Sequence, residues 1–110
     1  MNKMITQDNF KEEVLESMEL SLVQFKTEWK GSCQILSMIY DDLAKSYKGV
    51  ANFYTVDFEN EIGLVNEYGV IDVPTILFYK NGKLVDHTIG LISKNALISK
   101  IENALSKLTS

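Results

Sequence analysis

The sequence predicts an α/β fold, a central mixed β-sheet flanked by helices on both faces. Three observations lead there. Segments with apolar residues at helical spacing alternate with short, near-continuous apolar runs through the first two thirds of the 110-residue chain. Strand–helix–strand crossovers of that kind require parallel neighbouring strands. An Asn81-Gly82 pair between two strand-like runs then adds an antiparallel hairpin, because Asn-Gly tolerates the two positive φ angles of a type I′ turn.

Each element has its own signal. Phe10, Val14, Leu15 and Met18 recur at helical spacing behind the possible N-caps Thr6 and Asp8, predicting a helix near 8–17. Leu20 to Phe25 is a buried strand. Ile35, Leu36, Ile39, Leu43 and Tyr47 trace a second helix that stops at Lys48-Gly49. Phe53 to Phe58 is a further buried strand, and a short helix from Glu61 to Tyr68 stops at Gly69. Thr75 to Tyr79 and Leu84 to Ile89 flank the hairpin turn. Gly90 breaks the second of these strands, Ser93 caps the last helix, and Leu97, Ile101, Ala104, Leu105 and Leu108 form its inner stripe. The expected order is α-β-α-β-α-β-β-α, with Met4, Met18 and Met38 as core or edge fillers.

Composition excludes several function classes. The hydrophobic fraction of 45% supports one packed core, so residues 1–110 are expected to form a single domain. All eleven basic residues are lysines, and fifteen acids bring the net charge to −4. A basic footprint for nucleic acid is missing, as is any guanidinium fork for phosphate. No apolar run approaches the ~20 residues of a membrane helix, and the N-terminus lacks an apolar signal region. The expectation is a cytoplasmic protein of unassigned oligomeric state. One cysteine rules out an intramolecular disulfide and a multi-cysteine metal site; His87, the sole histidine, has no second ligand nearby in sequence. Neither a metal nor another cofactor is expected.

The residues that carry chemistry lie at the junction of the first buried strand with the long helix. Trp29-Lys30-Gly31-Ser32-Cys33 occupies that junction, and about forty residues later comes Val73-Pro74-Thr75. With Tyr68-Gly69, Asn81-Gly82 and Gly90 in order, these motifs resemble the thioredoxin family, whose active-site turn reads Trp-Cys-Gly-Pro-Cys. The resemblance runs from about Ile5 to Leu108 and implies a thioredoxin fold. It also implies that Lys30 stands where the attacking thiol belongs and Cys33 where the resolving thiol belongs. Gln24 would replace the family's buried Asp, Thr55 the Lys that pairs with it, and Lys26 an aromatic.

Thiol–disulfide exchange needs one thiol to attack and a second to resolve the mixed disulfide. With Cys33 alone the dithiol cycle cannot close, whatever its pKa. Cys33, the single catalytic candidate, is then either a small packed residue or a monothiol that forms mixed disulfides with glutathione or clients. A peroxidatic thiol is a third reading, weakened because those enzymes use an arginine. Lys30 could stabilise a thiolate or simply be solvated. The resemblance further implies a cis Val73–Pro74 bond and a groove where extended protein or peptide clients dock. Trp29, Lys30, Gly31, Val73, Pro74 and Gly90 form the expected peptide-binding set, with Val73 presenting its backbone N–H and C=O.

Overall fold

The structure, a computed structural model, describes residues 2–106. Its strands are β1 (Asn2–Met4), β2 (Leu20–Lys26), β3 (Ala51–Asp57), β4 (Thr75–Lys80) and β5 (Lys83–Ile89). Its helices are α1 (Gln7–Phe10), α2 (Gly31–Ser46), α3 (Ile62–Glu67) and α4 (Lys94–Ser106). The sheet order is β1-β3-β2-β4-β5, with β3 parallel to β1 and β2, and β4 antiparallel to β2 and β5. This is the mixed sheet with helices on both faces that the sequence predicts.

The apolar runs read as buried strands because the sheet is covered twice. Successive side chains point to opposite faces, so a strand packed on both is mostly apolar along its length. Val23 and Phe25 enter one core with Ile5, Phe10, Val14, Tyr54 and Leu77. Leu20 and Leu22 enter the other, against Leu36, Tyr40, Leu43, Leu97 and Ile101 of α2 and α4. Burying each such Leu or Phe contributes roughly 1.5–3 kcal/mol. Tyr40 reaches through the second core: its hydroxyl lies 2.6 Å from Tyr54 O and 2.9 Å from Leu22 O, and accepts the Tyr54 N–H at 3.1 Å.

Several expectations need correction. β1 was not foreseen; three residues are too few for a period-2 pattern to declare itself. The helix expected near 8–17 is a single α-turn capped by Thr6, which continues as a π-helix over Lys11–Leu15, with Glu16 N–H donating to Lys11 O at 2.9 Å. Met4, Met18 and Met38 are exposed and fill no core. Ile35 is also exposed; the buried stripe of α2 is Cys33, Leu36, Tyr40, Leu43 and Ala44. Leu97, Ile101 and Ala104 are buried in α4 as expected, while Leu108 lies outside the described residues.

Candidate functional site

β2 ends at Lys26, and the chain turns through Trp29 into α2. Lys30 is the N-cap residue, extended at φ −85 and ψ 128, and its side chain makes no capping hydrogen bond. Gly31 opens the helix, and the first intrahelical bond runs from Gln34 N–H to Lys30 O at 3.0 Å. Gln34 Nε2 also donates to Glu28 O at 2.8 Å, tying the turn to the helix it precedes. The sequence motif is thus a strand-to-helix corner, with Trp29 exposed and Cys33 buried.

Trp29 is 68% exposed, with its indole N–H donating to Glu59 Oε2 at 3.2 Å. Beyond its own chain neighbours and helix backbone, no atom lies within 4 Å of a Cβ built on Gly31, so no packed neighbour demands glycine there. Cys33 points inward and has no accessible surface. Its sulfur lies 4.0 Å from Thr27 Oγ1, a weak hydroxyl-to-sulfur contact. Beneath the corner, Gln24 and Thr55 pair across β2 and β3, both fully buried. Thr55 donates to Asn2 Oδ1 at 2.7 Å, and Gln24 Nε2 lies 3.4 Å from Ser37 Oγ; neither side chain titrates.

The second half of the site comes from the segment before β4. The Val73–Pro74 peptide bond is cis, and Thr75 Oγ1 donates to Asp72 O at 2.7 Å, closing the turn. Gly90, at φ +87, donates its N–H to Pro74 O at 2.8 Å and so carries the β5 end to the same place. That positive φ is ample reason for glycine at position 90.

Lys30 joins the two halves. Its ammonium donates to Val73 O at 2.7 Å and pairs with Asp72 Oδ1 at 3.3 Å. The same Asp72 oxygen accepts the Val73 N–H at 2.8 Å. Both backbone groups of Val73 are therefore engaged from within the chain, by the side chains of Lys30 and Asp72. The N–H of Val73, and then the Lys30 ammonium, hold the Asp72 carboxyl below the usual carboxylate range.

The corner brings Trp29, Lys30 and Gly31 together, and Lys30 reaches Val73 directly; Cys33 lies behind them. Sequence reasoning missed Asp72, Thr27 and the Glu59 carboxylate that holds the Trp29 indole. Asp72 had a usable signal, since Asp side chains readily bond neighbouring backbone N–H groups. His87 is exposed on β5, and no cluster of three metal-ligating side chains exists among the described residues. Among the described residues, no helix is long and apolar enough to cross a membrane.

With that geometry in view, the Thioredoxin family model matches residues 1–103. The chain belongs to the thioredoxin family. It is 38% identical over 101 residues to thioredoxin of Rickettsia felis, covering 92% of this chain and 96% of that protein. Thioredoxin of Chlorobaculum thiosulfatiphilum is 34% identical over 97 residues, covering 88% of this chain and 90% of its own. The crystal structure of Malassezia sympodialis thioredoxin superposes with a TM-score of 0.87 at 23% identity, over 96% of this chain and 92% of that one. That last likeness is one of fold. Within a thioredoxin family member, the chain's one cysteine makes an internal disulfide impossible.

Proposed function

We propose that this thioredoxin-family chain is a peptide-binding domain spanning residues 1–110 that has left dithiol chemistry. Thioredoxins act on protein substrates, and the partners read here are extended segments of cytoplasmic proteins. They dock across Trp29, Gly31, Val73, Pro74 and Gly90, with Lys30 at the centre of the surface. The observation that carries this reading is Lys30 itself, an ammonium bonded to Val73 O at the mouth of the site, where a thioredoxin needs a nucleophilic thiol. Gly31 supports it, because open space around its Cα leaves room for a partner's backbone.

The monothiol alternative requires a sulfur that an incoming disulfide can reach. Cys33 offers no accessible surface, so no observation favours that reading. Gln24 also takes up no proton, which removes the buried base that would activate a resolving thiol.

Two measurements test the proposal. Insulin disulfide reduction with thioredoxin reductase and NADPH should give no turnover above the uncatalysed rate. In a ¹⁵N NMR titration with client peptides, amide shifts should cluster at residues 29–33, 72–75 and 89–91. Robust NADPH-coupled turnover, or binding that spares all three segments, sinks it.

A further inference from the structure

Val73 precedes β4, which begins at Thr75, so its N–H and C=O have no strand ladder to enter. Backbone polar groups at such a position need partners. Here both partners come from side chains that remain in contact with water: Lys30 is 36% and Asp72 61% exposed. Lys30 supplies a donor to the carbonyl and Asp72 an acceptor to the N–H, at 2.7 and 2.8 Å. An extended backbone laid along Val73 would supply that same donor and acceptor. The Lys30–Asp72 pair therefore occupies the hydrogen-bonding positions of a docked strand.

We propose that Lys30 and Asp72 form an intramolecular latch on the docking edge, which an incoming extended segment must displace. The inference rests on the docking reading above and concerns how that site is gated. Opening the latch does not strand a charge in the interior. Lys30 and Asp72 already pair with each other at 3.3 Å, and both can swing outward as a pair. What opening costs is the charge-assisted bond to Val73 O and the carboxylate bond to Val73 N–H, stronger than neutral ones. A bare backbone exchanges weaker bonds for these. The latch thus favours segments that bring further contact, for which the exposed Trp29 ring is available. Position 30 then sets affinity for peptide as well as the absence of thiol chemistry.

The test uses a short blocked peptide of alternating valine and serine, uncharged so that variants cannot change its attraction electrostatically. Its dissociation constant is measured by ¹⁵N NMR for the intact chain and for Lys30→Met and Asp72→Ala, each checked for an unchanged spectrum elsewhere. Each variant is expected to bind about tenfold tighter, the factor that corresponds to roughly 1.4 kcal/mol. In the free Asp72→Ala protein, hydrogen exchange at the Val73 amide should be at least several-fold faster. Equal affinities in all three proteins, with Val73 shifting in each, overturn the latch and leave the docking reading standing. Absence of shifts at 72–75 in every protein overturns the docking reading and the gate with it.

Discussion

Cys33 and Lys30 stand three residues apart and have opposite environments. The sulfur faces the core beside Thr27, while the ammonium lies across the surface on Val73 O. Thiol reagents react through the thiolate and need access to it. Iodoacetamide should therefore label Cys33 slowly in the native protein and rapidly in denaturant, with the native rate following local or global opening. Rapid labelling of the native protein would show that the thiol is reachable after all. The sequence placed both residues correctly at the strand-to-helix corner, since that depends on a motif within one short window. It could not direct the Lys30 side chain, because its partners lie 42 and 43 positions away at Asp72 and Val73. A long flexible lysine finds its partner through tertiary proximity, which no local periodicity encodes.

Elements were legible in proportion to how much of them is buried. β2, β3 and β4 are buried on both faces and largely apolar, and so announce themselves; β1 has three residues, two of them exposed, and does not. The first helical segment kept its inner residues Phe10, in α1, and Val14, in the π-helix that follows, but the even helical spacing concealed the switch to π geometry. The β4–β5 turn shows local and tertiary demands meeting at one residue. Asn81 and Gly82 take φ +53 and +76, the left-handed pair that the Asn-Gly signal implies. A Cβ on Gly82 would also sit 2.5 Å from the Leu15 carbonyl oxygen, a backbone atom that cannot swing aside. Gly82→Ala combines roughly 1–2 kcal/mol of left-handed strain with that clash. It should destabilise the fold by about 2–4 kcal/mol in urea unfolding. By contrast Gly31→Ala, with open space and no positive φ, should leave stability within about 0.5 kcal/mol of the parent. A Gly82→Ala midpoint unchanged from the parent's would mean that the hairpin does not press on the end of the π-helix.

At the scale of the whole molecule, the five tyrosines are all held in their neutral form, and this decides how the protein responds to alkali. Burial is the leading cause at each; it raises Tyr47, Tyr54 and Tyr79 to about 12, holds Tyr40 well above its ordinary value, and raises Tyr68. Tyr40, Tyr54 and Tyr79 are also buried by accessible surface, and they belong to both cores. The sign follows from proton counting. An unfolded tyrosine loses its proton near pH ~10, while these keep theirs in the fold. Above pH ~10 the unfolded state therefore binds fewer protons, and stability falls as pH rises towards the folded values. Tyr54 and Tyr79, raised to about 12, each contribute up to about 1.4 kcal/mol per pH unit, so on the order of 4 kcal/mol is lost between pH ~10 and ~12, and Tyr40 adds to that loss. That is a large fraction of the ~5–15 kcal/mol by which small domains are stable. Tyrosinate absorbance and far-ultraviolet circular dichroism, followed together through an alkaline titration, should therefore change in one coincident step above pH ~11. Phenolate signal from all five rings at pH ~10 with the dichroism intact would show that the tyrosines reach solvent without unfolding, and that the two cores are looser than their packing indicates.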